Sequence, residues 1–166
     1  MSNTGRAWIF GDNISTDLIF PGRYVHLLSN MPELVKHTLE DARADYAASV
    51  KPGDFVVAGD NFGMGSSREQ APVIIKLSGA RAVLAKSFAR IFFRNAINVG
   101  LPVIEVDTSG INEGDDLQID FGAGRLVDRT SGFERTFEPL PPIMTEILAD
   151  GGLVAHIQKH GDFHLV

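Results

Sequence analysis

The sequence predicts an α/β fold organised on a mainly parallel central sheet. Residues 55–58, 80–85 and 101–106 are short apolar runs rich in β-formers, separated by two helical stretches. That order reads as two successive strand–helix–strand units, whose right-handed crossovers place the strands parallel. Residues 112–128 then change character. An alternating segment, 117–121, is bounded by the turn Asn112-Glu113-Gly114-Asp115 and by Gly122-Ala123-Gly124, after which 125–128 returns as the second strand of an added β-hairpin layer.

The other elements follow in chain order. Residues 6–10 form a first strand, ended by the turn signal Gly11-Asp12-Asn13. Residues 14–24 have no clean period and suit a loop laid over a site. From 25 to 50 the chain is polar and helix-prone, with Pro32 near a start and Leu34, Val35, Leu39 and Ala42 on one apolar face. Lys51-Pro52-Gly53-Asp54 turns into the second strand. Residues 73–78 form a helix with Gly79 beyond its end, and Ser87 is expected to cap a second helix over 88–99 that Gly100 closes. In that helix Phe88, Ile91, Phe92, Ala96 and Val99 make the core stripe, and Arg90, near its start, calls for a carboxylate partner. A short strand is expected at 136–137. Pro141-Pro142 opens a last helix, Gly151-Gly152 ends it, and the tail beyond is expected to fray over 160–164.

A chain of 166 residues with 44% hydrophobic content suits a single domain spanning residues 1–166. A net charge of −6 with scattered basic residues argues against a nucleic-acid partner. Residues 1–11 lack the apolar run of a secretion signal, and no stretch reads as a membrane span, so a cytoplasmic location is expected. The sequence contains no cysteine. This excludes a thiolate nucleophile and an iron–sulfur cluster ligated by the chain itself, and no metal site is expected on it.

The stretch richest in chemistry is Gly59-Asp60-Asn61-Phe62-Gly63-Met64-Gly65-Ser66-Ser67-Arg68-Glu69-Gln70. It joins a strand to a helix through glycines that let a ligand approach the main chain, and it adds two hydroxyls and a guanidinium fork at a helix start. Local features leave two readings, a small-anion site or a capping box in which Ser66 pairs with Glu69 or Ser67 with Gln70. Asp12 and Asp17 offer carboxylates upstream, with turn and cap duty as the alternative for Asp12.

Together with Asp12-Asn13-Ile14-Ser15-Thr16-Asp17 and Lys86-Ser87-Phe88-Ala89-Arg90-Ile91-Phe92-Phe93-Arg94-Asn95, this loop resembles the swivel domain of the aconitase superfamily, most of all the separate small subunits of its two-subunit hydro-lyases. The resemblance runs over residues 5–160 and implies a swivelling β/β/α domain. It also implies a larger partner subunit holding a [4Fe-4S] cluster, in a heterodimer or heterotetramer, without which this chain is inactive. Ser66 then corresponds to the catalytic base, Ser67 and Arg68 to substrate-carboxylate ligands, and Asp17 to a polar contact beside them. The implied reaction is dehydration and rehydration of a branched hydroxy dicarboxylate, foremost the interconversion of 2- and 3-isopropylmalate in leucine biosynthesis. Dimethylmalate, methylmalate and homoaconitate enzymes are the alternatives, and a non-catalytic anion-binding module is the alternative of another class. Substrate identity in this family is read by a loop after Pro-Gly, often Tyr-Leu-Arg-Thr; here it is Tyr24-Val25-His26-Leu27. His26 in place of arginine, with Val25 and Leu27 beside it, suits an alkyl substituent better than a third carboxylate.

Overall fold

The computed structural model describes residues 3–161. Its strands are β1 (Thr4–Ile9), β2 (Phe55–Val57), β3 (Ala82–Ala85), β4 (Val103–Glu105), β5 (Asp116–Asp120), β6 (Arg125–Asp128) and β7 (Glu134–Thr136). They form one sheet in the order β4-β3-β2-β1-β5-β6-β7. β1 to β4 pair in parallel, and β5 to β7 extend the sheet antiparallel. The expected hairpin layer is therefore continuous with the parallel sheet.

The join lies within β1. Its residues 7–9 pair with β2, while residues 4–6 pair with β5. At Gly5 a Cβ would lie 2.0 Å from the carbonyl oxygen of Gly53, so only glycine lets the strand pass that close at the bend. The bend curls the hairpin over one face of the parallel strands. One face, with Val56 and Val83, packs against the helices; the other, with Phe55, Val57, Ala82 and Leu84, packs against Leu117, Ile119 and Leu126 of the curled part. Burial on both faces is why β2 and β3 are continuous apolar runs.

The helices are α1 (Thr16–Ile19), α2 (Met31–Leu34), α3 (Tyr46–Ser49), α4 (Gln70–Leu77), α5 (Arg90–Val99), α6 (Pro142–Ala149) and α7 (Leu153–His160). Several sequence expectations change here. Residues 14–24 are not a bare loop: they contain α1 and the start of a 3-10 turn, Gly22–Leu27. The excursion over 25–50 is broken into short turns, because Leu39 takes a left-handed backbone (φ 57°) that no helix can contain, although Leu34 and Leu39 are both fully buried as expected. Ser87 does not cap α5, whose cap position is Ala89 with no side-chain bond. Ile91 leaves the core stripe and is 51% exposed, while Ile97 is buried in the core together with Phe92 and Ala96. Arg90 has no ion-pair partner among the described residues.

The tail is also more ordered than expected. Residue 160 closes α7; the remainder of the expected fraying, 162–164, lies outside the described residues. Asp150 accepts bonds from Lys159 Nζ at 2.6 Å, His156 Nδ1 at 2.7 Å and His160 Nε2 at 2.9 Å. His156 is fully buried, and its Nε2 has no hydrogen-bond partner among the described residues. Lys159 first, then His156 and His160, hold the Asp150 carboxyl well below the usual carboxylate range. Because the folded-state value lies below the unfolded one, the stabilisation is complete above the ordinary Asp range and is lost progressively as pH falls from there toward the depressed folded-state value. Asp150→Asn is therefore expected to melt below the parent at pH 7, with the gap closing progressively below about pH 4; thermal melts from pH 3 to 7 measure it.

Candidate functional site

β1, β2 and β3 run parallel, so their carboxyl ends open on one edge of the sheet, where ligand sites of α/β folds form. The three motifs that follow these strands meet there. Gly59 N–H donates to the Gly11 carbonyl at 3.2 Å, Asn13 N–H to Asp60 at 2.8 Å and Gly63 N–H to Ile14 at 2.7 Å. Asp12 accepts the Asp60 N–H at 2.7 Å, which is the turn duty given as its alternative reading. From the other side, Phe62 N–H donates to the Ser87 carbonyl and Ala89 N–H to Phe62. Ser87 Oγ accepts from Asn61 N–H at 2.8 Å, so this serine braces the glycine loop rather than the helix.

An aromatic cluster seats the loop. Phe62 is fully buried, with its ring 5.2 Å from Phe92 and 6.0 Å from Phe88, both edge-on. Gly63, at φ 81°, passes so close to Phe92 that a Cβ would lie 2.2 Å from the ring. Beyond this anchored section the loop emerges. Thr16, buried, donates its hydroxyl to the Ser66 carbonyl at 2.8 Å, and Thr16 N–H donates to Met64 at 2.8 Å. The sequence reading passed over Thr16; its signal was position, next to Asp17 in the first motif.

What the emerging segment presents is unsatisfied donors. From Gly65 through Gln70 no backbone N–H donates to an acceptor among the described residues, and the Ser66 and Ser67 hydroxyls make no side-chain bond there. The cap position of α4 is Glu69 without a side-chain bond, so neither serine forms the capping box. A run of free N–H groups at the start of an eight-residue helix favours an anion. Arg68 stands beside it. Its Nη2 is 2.7 Å from Asp17, its Nη1 donates to the Phe20 carbonyl at 3.0 Å, and its guanidinium lies 5.6 Å from the Phe20 ring centroid. These bonds aim the fork and leave N–H donors free for a carboxylate. Asp17 is thus a partner of Arg68.

The 24–27 segment forms the 3-10 turn next to Arg68, and its four residues do not share one role. Tyr24 packs inward, with its hydroxyl donating to Glu40 at 2.8 Å. Leu27 is half-buried and packs against the core, which leaves Val25 the more exposed of the two apolar residues that the sequence offers for an alkyl pocket. Val25 is 51% exposed, and His26, also exposed, donates through Nδ1 to the Arg23 carbonyl at 2.9 Å. Arg23 does not stand in for the missing arginine, since Asp41 and Glu40 hold it. Among the described residues, no helix is long and apolar enough to cross a membrane.

Comparison with known proteins gives this edge its context. A family model described as the aconitase C-terminal domain matches residues 19–109. The chain is 59% identical to 3-isopropylmalate dehydratase small subunit 2 of Archaeoglobus fulgidus, over 99% of this chain and 100% of that one. It is 51% identical to the methanogen homoaconitase small subunit of Methanothermobacter thermautotrophicus, over 93% of this chain and 90% of that one. The crystal structure of 3-isopropylmalate dehydratase from Methanocaldococcus jannaschii superposes with a TM-score of 0.92 at 45% identity, covering 97% of this chain and 96% of that one. The chain belongs to the aconitase C-terminal domain family, among the small subunits of its hydro-lyases.

Proposed function

We propose that this chain is the small subunit of a hydro-lyase that interconverts 2- and 3-isopropylmalate, and that Ser66, Ser67 and Arg68 are its contribution to the active site. The observation that supports this most is the exposed run of free N–H groups and hydroxyls from Gly65 to Gln70, held beside Arg68 by two other loops. The names of the full-length relatives support the substrate class.

Moving water on and off a hydroxy dicarboxylate needs a base for a carbon-bound proton and cations for the carboxylates. Ser66 Oγ would take the proton as its alkoxide. A serine hydroxyl does not ionise unaided near neutrality, and here the positive Arg68 and the neighbouring N–H dipoles stabilise the anion. Ser67 and the free N–H donors of Arg68 would hold the substrate carboxylate, with Asp17 and the Phe20 carbonyl fixing the guanidinium. The donor set at this edge contains no thiolate, so it does not fit an iron–sulfur cluster. In the proposed heteromer the larger partner would carry the [4Fe-4S] cluster, which would supply Lewis-acid chemistry toward the substrate hydroxyl. Val25, outward at the turn beside Arg68, would meet the substrate's alkyl group.

The test is anaerobic reconstitution with the cluster-bearing large subunit, followed by ultraviolet absorbance on isopropylmaleate, dimethylmaleate, citraconate and cis-aconitate. Turnover is expected on the alkyl-substituted substrates, with isopropylmaleate preferred. Activity confined to cis-aconitate overturns the alkyl reading, and a complex with an intact cluster but no activity on any substrate favours an anion-binding module.

A further inference from the structure

The turn Gly22–Leu27 rests on the core through Tyr24 and Leu27, both half-buried. It contains no fully buried residue, and Pro21 before it provides no side-chain cap. Its polar hold comes from residues 37–41. Glu40 accepts three bonds at once: Oε1 takes the Tyr24 hydroxyl at 2.8 Å and Arg23 Nη2 at 3.1 Å, and Oε2 takes His37 Nδ1 at 2.5 Å. The Tyr24 and His37 rings stack at 3.8 Å and 15°, and Arg23, 4.7 Å from the Tyr24 ring centroid, forks onto Asp41 at 2.6 and 2.7 Å. The bonds from His37, then Tyr24 and Arg23, hold the Glu40 carboxyl below its ordinary range, so it is an anion among donors.

Glu40 has a firm base. Leu39 before it is fully buried in the left-handed region, and its N–H donates to the Ile19 carbonyl at 2.9 Å. A bulky residue keeps that backbone only where packing over-determines it. Ile19 ends α1, the helix whose Asp17 grips Arg68. At the other end of the turn, a side chain on Gly22 would sit 3.5 Å from Arg68 Nη2. The segment carrying Val25 and His26 is thus suspended between the Arg68 clasp and the Glu40 clasp.

We propose that Glu40 is a positioning residue for substrate selection: by gathering Tyr24, Arg23 and His37 it sets the pose of the 24–27 turn against Arg68. This rests on the hydro-lyase reading above. Glu40 acts through Tyr24 and Arg23 and does not itself meet the substrate.

The reconstituted complex, with its large subunit, is assayed as parent, Glu40→Ala, Glu40→Gln and Tyr24→Phe on isopropylmaleate, citraconate and cis-aconitate. In Glu40→Ala, KM for the preferred alkyl substrate is expected to rise about tenfold with kcat within about twofold, narrowing the ratio of kcat/KM between substrates. Glu40→Gln keeps an acceptor for Tyr24 and is expected to recover part of that ratio. The Glu40→Ala, Tyr24→Phe double variant is expected to be no worse than Glu40→Ala alone. Amide hydrogen exchange supplies a readout apart from activity: amides 22–28 should exchange at least about tenfold faster in Glu40→Ala, with those of β2 and α4 unchanged. Faster exchange with an unaltered substrate ratio overturns the proposal, leaving Glu40 a merely structural clasp; unchanged exchange overturns it as well. A parent complex inactive on every substrate overturns the hydro-lyase reading and this proposal with it. That outcome differs from failure of Glu40 alone, in which the parent keeps its selectivity.

Discussion

Ser66→Ala is expected to lower turnover of the reconstituted enzyme on the order of 10⁴-fold, about 5.5 kcal/mol of transition-state stabilisation. The loss should fall on kcat, with KM nearly unchanged, because the proposed carboxylate ligands Ser67 and Arg68 remain. Folding should be untouched. Ser66 is exposed, its hydroxyl bonds to no other described residue, and the carbonyl that Thr16 grips belongs to the backbone and survives the substitution. Single-turnover kinetics, with thermal melts and gel filtration of the complex, separate these expectations. A variant that keeps turnover within tenfold of the parent would remove Ser66 from the role of base. Equal losses in Ser66→Ala and Ser67→Ala, both in KM, would instead describe two substrate ligands.

The largest effect on stability is expected from Gly63→Ala. The residue needs φ 81°, and its Cβ would be placed 2.2 Å from the Phe92 ring and 2.3 Å from Phe92 Cβ, beside the buried rings of Phe62 and Phe92. Left-handed strain and overpacking together should destabilise the chain by about 3 kcal/mol, a fall in melting temperature of roughly 6–12 °C for a domain of this size. Turnover should fall too, since a loop that shifts to relieve the clash carries Ser66 with it. Phe92→Ala in the same chain removes Cγ and the ring, leaving the Cβ contact and the backbone strain. The double variant should therefore be more stable than the sum of the two single losses implies. Strict additivity would show that backbone conformation, and not the ring, is what glycine serves at this position.

The elements with the strongest local signals were legible in the chain. β2 and β3 could be read because burial on both faces demands uninterrupted apolar runs, and the hairpin because alternation and a glycine turn are local properties. The candidate site was legible for a similar reason: two serines and an arginine after a glycine-rich turn lie within one stretch, and the family motifs lie in order along the sequence. Short-range rules failed where a residue's partner is distant. Ser87 has the composition of a helix cap, yet its hydroxyl meets the Asn61 N–H, 26 positions away. Leu27 has the character of a pocket wall, and the fold also packs it, half-buried, against the core. Leu39 sits in a helix-prone stretch, and only its buried contacts and its bond to Ile19 hold it in a conformation that stops a helix.

By itself, then, the sequence determined that glycines, hydroxyls and a guanidinium gather after one strand, that no cysteine is there to ligate an iron–sulfur cluster, and that strands and helices alternate through its centre. Only the tertiary structure decided that Asp17 is spent on Arg68, that the capping-box reading of the serines is unfilled, and that the 24–27 turn hangs from Glu40. The physical reason is range. Backbone propensity and hydrophobic period act over a few residues and leave their mark in the local sequence, whereas a hydrogen bond or ion pair is chosen among every donor and acceptor that the fold brings within about 3 Å.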